Sequence, residues 1–375
     1  MIQWLRDHRK AAYVLASLIL LLPVYWQPRV HAGDLTSHFD NAWLAQMLEG
    51  RTTNVLFDVI LGALYTVAGA ELGPRLAVSL AVLTFLWGAF AFVTAAGGRR
   101  PWYLMPCIAM LAYGWVFHMG FFNFYLSLGL CFWTLALAWN FERRRIPVAA
   151  GLLFLSYSAH AIPTIWTLGL LLYLWIARRV SERRRVLIAG AWLAIMILVH
   201  IAADRTPWSL QQIALTTGAD QVWVFDSKYY IVLIGLLAVW GLLFIALLRN
   251  LGASGVVSGL PFQLCLISAA AVFILPTTIL IPGFQHALVY NAERMSLGVG
   301  ICVCALLGAV KPRGFERHAL LIISLVFFGF LYNDEKALNS FQDRMQDTVA
   351  AAWRTHPCVP HRDSSGCLAV TAKFR

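Results

Sequence analysis

Residues 121–145 read FFNFYLSLGLCFWTLALAWNFERRR. The first 21 carry no charge, and an acid and three arginines then follow at once. A helix rises about 1.5 Å per residue, so such a run reaches about 30 Å, the depth of a bilayer's hydrocarbon core. An arginine cluster beside it is the mark of a cytoplasmic loop.

Outward from this segment the pattern repeats along the chain. Apolar runs near 11–26, 75–97, 102–118, 121–141, 147–160, 163–178, 186–203, 229–248, 260–281, 295–310 and 318–332 give eleven candidate spans. Of 375 residues, 60% are apolar and 13% charged, and the mean hydropathy is +0.70. That composition excludes a disordered chain, a disulfide-dense miniprotein and an ordinary cytosolic enzyme. The expected fold is all-α: a polytopic integral membrane protein of eleven transmembrane helices. Residues 1–332 form the membrane domain, with amphipathic interfacial helices in an exterior loop at 27–74, and residues 333–375 form a small exterior tail.

A net charge of +11 raises nucleic acid as a partner, but the charges sort by loop. With the N-terminus cytoplasmic, the inner segments hold 17 of the 29 basic residues, among them Arg143 to Arg145 and Arg183 to Arg185, and only four of the 18 acids. The inside nets about +13 and the outside about −2, the positive-inside asymmetry. The basic excess therefore reflects orientation in a membrane, and no nucleic-acid partner is expected.

Residues 52–71 are apolar too. Counting them as a crossing would turn the later arginine clusters outward, so an interfacial or re-entrant helix is expected, with Asp58 tolerated at the interface. Basic residues up to Lys10, an apolar stretch from Ala11 and the small-residue site Val30-His31-Ala32 resemble a signal peptide; an uncleaved signal anchor is expected. Cys107, Cys131, Cys265, Cys302 and Cys304 fall inside spans as small apolar residues. Cys358 and Cys367 flank a short exterior loop, and a disulfide between them is expected. No strong metal motif is present.

The first exterior loop is the richest in chemistry. His31-Ala-Gly-Asp34-Leu-Thr-Ser37-His38-Phe39-Asp40 leads into an amphipathic stretch, with Ser37 as N-cap, Phe39, Trp43 and Met47 at helical spacing, and Gly50 as the stop. Asp34, His38 and Asp40 are expected to converge above the headgroups, as a general base or as ligands of a divalent cation. The alternative is that Asp34 caps the turn and Asp40 suits the helix dipole.

A single N-terminal span, an exterior loop carrying G-D-x-x-x-H before an amphipathic helix, an interfacial segment and then many short spans resemble the GT-C superfamily of polytopic glycosyltransferases. The resemblance covers roughly residues 1–100. It implies sugar transfer at the outer face from a polyprenyl-phosphate-linked donor, with Asp34 matching the essential acid of the first loop by position and Asp40 as its substitute. The loop is shorter than in typical members.

Other polar residues mark the same face. His118 and Asn123 sit at an outer turn with Tyr125 and Ser127, either packing between helices or lining a cavity. His160 lies at another outer turn before Pro163. Glu293 and Arg294 open a span, with Tyr290 and His286 one and two turns earlier on a helical reading. Arg294 suits a lipid-linked phosphate, or anchors the interface with Glu293. Trp208, Trp223, Asp220, Asp226 and Lys228 share an exterior loop, where aromatic faces beside carboxylates suit sugars or form an interfacial belt.

The reading reached is a membrane glycosyltransferase in the inner membrane of a bacterium, N-terminus inside and C-terminus outside, whose partners are membrane lipid and a lipid-linked sugar. A secondary transporter with a broken helix at Pro276 to Pro282, or a non-catalytic subunit of an envelope assembly complex, are the alternatives. The charge partition makes one direct prediction: an Arg144→Cys variant in intact cells resists an impermeant thiol reagent. Labelling there refutes the orientation.

Overall fold

The computed structural model describes residues 9–44, 52–202, 210–275, 277–279 and 288–355. Its helices, in chain order, are α1 (Arg9–Tyr25), α2 (Leu35–Leu44), α3 (Leu56–Gly97), α4 (Met105–Ala112), α5 (Trp115–His118), α6 (Phe122–Ala138), α7 (Ile146–Ala159) and α8 (Ala161–Ala177). Then come α9 (Glu182–Ala202), α10 (Leu210–Leu215), α11 (Tyr230–Ser258), α12 (Leu260–Ile274), α13 (Asn291–Leu307) and α14 (Gly314–Thr355). A two-residue antiparallel pair, β1 (Thr278–Ile279) with β2 (Leu288–Val289), joins α12 to α13. Among the described residues the architecture is all-helical but for that pair.

Among the described residues, three helices are long and apolar enough to cross a membrane: Leu56–Gly97, Ser227–Ser258 and Gly314–Ala351. Five shorter apolar helices accompany them, α6, α7, α8 and α12 whole and α1 from Lys10. The outward faces are apolar as well, with Leu18, Ile165, Ile231 and Leu325 all more than 60% exposed. Such faces suit contact with lipid rather than water.

The interior is aromatic. On α3 and α6, Phe85 stacks on Tyr125 at 4.6 Å between ring centroids and Phe92 on Phe132 at 5.8 Å. Hydroxyl groups stitch the next helices on: Ser127 of α6 donates to the Ser156 carbonyl of α7 at 2.9 Å, and the Ser156 hydroxyl meets Thr164 of α8 at 2.8 Å. In a bundle whose surroundings are as greasy as its core, such bonds fix which helices neighbour each other.

Several expected boundaries shift. The span expected at 102–118 is a broken helix, α4 and α5 separated at Tyr113 and Gly114. The one expected at 260–281 stops at Ile274, where the chain turns through β1 and β2. Tyr290 and His286 therefore do not share a helix with Arg294: Tyr290 precedes α13 in the left-handed region at φ 59°, and His286 lies outside the described residues. The helix expected after Tyr332 is no separate cap but the unbroken continuation of the last span through Thr355. The expected helix to Gly50 is described only as far as Leu44, and the expected Cys358–Cys367 disulfide lies outside the described residues.

Residues 52–71 lie at one end of the bundle. The helix α3 breaks at Gly69, whose φ of 81° and ψ of 178° suit glycine alone. Beyond the break, Gly73 comes against Leu64, close enough that a Cβ there would stand 2.7 Å from the Leu64 carbonyl. In a straight helix these residues are about 13 Å apart along the axis, so the chain bends sharply. At one side of residues 56–68 the Val55 amide donates to the Ser158 carbonyl at the end of α7; on the other the Arg75 guanidinium donates to the Gln27 carbonyl just after α1. Both partners belong to the same end of the bundle, so the segment lies across that end.

Asp58, expected at a wet interface, is instead 3% exposed. Its Oδ1 meets His38 Nδ1 at 2.5 Å and its Oδ2 accepts from Asn123 Nδ2 at 3.2 Å. The other ring nitrogen of His38 faces the Gly120 carbonyl at 3.0 Å. A carbonyl only accepts, so Nε2 carries a proton and Nδ1 shares the remaining one with the carboxylate. Asn123 completes the knot by accepting from the Phe57 amide at 2.8 Å. Removing one partner strands the other without its hydrogen bonds in a dry site, which costs about 3–5 kcal/mol. His38→Ala should therefore lower the melting temperature in detergent well beyond Asp40→Ala, and equal melting of the two variants would show that the knot holds nothing.

Candidate functional site

The three loop residues expected to converge do not. Asp34 lies before α2, and its carbonyl accepts from the His38 amide at 3.1 Å, so the helix starts at Leu35 rather than after Ser37. His38 is one turn on and faces inward, committed to Asp58 and Gly120, while Asp40 is exposed on the outer side. A helix that buries His38 must turn residues two positions away toward another face, which is what the sequence spacing concealed. Asn123 is likewise spent on packing. Among the described residues no three His, Cys, Asp or Glu side chains converge as metal ligands, so the expected divalent-cation cluster is not formed by Asp34, His38 and Asp40.

Asp34 has different company. The turn between α5 and α6 holds the loop by its backbone: Gly33 donates to the His118 carbonyl at 2.8 Å and Asp34 to the Met119 carbonyl at 2.9 Å. The next residues of that turn are Gly120 and Phe121, and the Arg294 guanidinium lies over the Phe121 ring, 3.5 Å from its centroid. One turn of chain thus holds the Asp34 backbone on its carbonyls and Arg294 on an aromatic face. The Asp34 carboxylate is exposed and acts electrostatically on Arg294, as does Glu293. His160 is within electrostatic reach of the same guanidinium. Its Nδ1 accepts from the Ile162 amide at 3.2 Å, capping α8, which leaves the proton of the neutral ring on Nε2.

Tyr290 packs near Trp115 at 5.7 Å and Phe121 at 6.2 Å between ring centroids. Asp34, Arg294, Glu293, Tyr290 and His160, each expected at the site, therefore come from three separate stretches of chain. His118 faces the other way. Its Nδ1 meets the His31 carbonyl at 3.3 Å, and its Nε2 is 4.0 Å from Glu335 Oε1 on α14. It borders a second cavity of about 1090 Å³ with His31, Arg29 and Arg75.

Phe121 was invisible in the sequence because it is one aromatic among many in an apolar run. Glu335 was hidden differently, as one acid of a polar helix whose docking partner, Trp26, lies 309 positions away. Asp220 was noted in an aromatic loop but not placed at a site. Its side chain enters the bundle because Gly218 (φ 72°) lets the loop approach α13 to within contact of Gly300, and burial raises its carboxyl from the usual range to about 7.

No family model, no curated protein and no solved structure matches this chain.

Proposed function

We propose that this chain is a membrane glycosyltransferase that transfers a sugar from a polyprenyl-phosphate-linked donor at the outer membrane face. The observation that carries the reading is that an exposed carboxylate, Asp34, and a guanidinium, Arg294, meet the same turn of chain at residues 118–121, within electrostatic reach of each other. Those are the two charges such a transfer needs. The acceptor hydroxyl loses its proton to Asp34 as its oxygen attacks the anomeric carbon. The bond from that carbon to the phosphate oxygen breaks, and the electron pair leaves with the phosphate. The extra negative charge on the leaving group is met by Arg294, whose fork of N–H donors fits a phosphate. His160 and Tyr290 border the same space as hydrogen-bonding groups for the substrates.

This reading goes with eleven spans, the N-terminus cytoplasmic and the C-terminus exterior, in the inner membrane of a bacterium. The shorter helices α6, α7, α8 and α12 would cross with the help of the residues flanking them. A transporter fits less well. The break expected to mark it, at Pro276 to Pro282, follows the end of α12, and α13 begins beside Asp220 and Gln221 of an exterior loop, so the break sits at the end of the bundle rather than at mid-depth.

The test is transfer from radiolabelled polyprenyl-phosphate hexoses in membrane vesicles. Asp34→Asn, present in normal amount, should lose on the order of 10² to 10⁴ in rate. Arg294→Gln should fall at least as far, with Arg294→Lys partly restoring it. Wild-type transfer by Asp34→Asn removes Asp34 from the chemistry, and the reading falls with it.

A further inference from the structure

Next to Tyr290 and Glu293 lies a cavity of about 550 Å³, lined besides by residues that the transfer reaction does not use, Asp220, Trp223 and Tyr230 among them. Its polar floor is Asp220 and Glu293. Asp220 Oδ2 accepts from Ser296 Oγ at 2.6 Å and from Gln221 Nε2 at 3.0 Å, both neutral donors. Its Oδ1 is sealed from solvent and has no partner, and neither has Glu293 Oε2. Glu293 disfavours the charge of Asp220, and the Arg294 guanidinium, next in sequence to Glu293, lies on Phe121. Two acids, each with one unpartnered oxygen, thus line one cavity, and among the described residues no lysine or arginine lines it with them.

The walls are aromatic on two sides. Trp223 and Tyr230 form one pair, 4.6 Å between centroids, and Trp115 and Tyr290 the other, at 5.7 Å. Electron-rich ring faces around buried carboxylates make a setting for an organic ammonium: the rings attract its charge, and its N–H groups or its charge satisfy the free oxygens. Sugar hydroxyls would fill the lone pairs but leave the charge. The remaining wall is apolar and directional. Leu233 and Leu237 line it one and two turns along α11 from Tyr230, so the cavity follows a helix whose neighbouring residues Ile231 and Ile234 are exposed apolar positions. A ligand filling it has a cationic head at one end and an aliphatic tail running along a membrane helix.

We propose that this cavity binds an amine-headed membrane lipid, its ammonium held between Asp220 and Glu293 within the aromatic walls. The proposal does not rest on sugar transfer or on Asp34, although the cavity shares Tyr290 and Glu293 with that site. It predicts that full-length protein in nanodiscs of mixed phosphatidylethanolamine and phosphatidylglycerol retains the ethanolamine lipid at least tenfold over the glycerol lipid when released and examined by native mass spectrometry. Asp220→Asn and Glu293→Gln should each abolish that preference. In the wild type, which needs no variant to fold, the preference should be weaker at pH 5.5 than at pH 8. Burial raises the Asp220 carboxyl to about 7, so it is largely protonated at the lower pH and ionised at the higher, with Glu293 on α13 the charged group facing it. Displacement of the lipid by millimolar ethanolamine would also support an ammonium site, and would name a free amine as its occupant. Equal retention of both lipids, a preference unchanged in both variants, or one unchanged between the two pH values would overturn it. Because Asp34→Asn leaves this cavity intact, loss of transfer in that variant with lipid preference retained separates the two readings.

Discussion

A buried imidazole and a buried carboxylate, His38 and Asp58, join the loop after the first helix to the rest of that end of the bundle. Each alone would be expensive in a dry site, and together they are tolerated because Gly120 and Asn123 complete their hydrogen bonds. The pair ties α2 to the first turn of α3, and its contact with Gly120 ties both to the turn before α6. That turn fixes the backbone of Asp34 and presents Phe121 to Arg294. The position of the exposed carboxylate is thus a consequence of a pair that faces away from it. The sharp bend at Gly69 belongs to the same arrangement, since it lets residues 56–68 lie across the bundle and deliver Asp58 to His38.

Much of this was legible from hydropathy. Apolar runs and arginine-marked loops located most helices within a few residues, because a membrane segment is specified by composition over a long window. The charge distribution argued against a crossing at residues 52–71, and the break at Gly69 with its sharp bend gave no sign in composition beyond the glycine itself. What composition does not encode is direction around a helix axis between neighbouring positions. Asp34, His38 and Asp40 are close in sequence, yet one is pinned outside by backbone bonds, one is turned inward and one is exposed. Nor does composition show where a helix breaks when the break is made by backbone packing: residues 102–118 read as continuous but part at Gly114, where a side chain would meet the Gln221 carbonyl at 2.6 Å. Arg294 and Tyr290 were readable as polar residues at a span boundary, and their neighbours were not, because those neighbours come from distant stretches.

The last helix gives that end of the bundle a timetable. Along α14, Glu335 accepts from the Trp26 indole, Asn339 holds both the amide and the carbonyl of Arg29 at 3.1 and 3.3 Å, and Asp343 pairs with the Arg29 guanidinium at 2.7 Å. These bonds span more than 300 residues of sequence. At about 5–20 residues per second of synthesis, the segment carrying Asp34 emerges at least 15 s or so before the helix that braces it exists. Through that interval the loop has only its nearer contacts to hold it. That end is finished by the final helix, so a chain stopped short of it can insert most of its spans and still lack the brace behind Asp34.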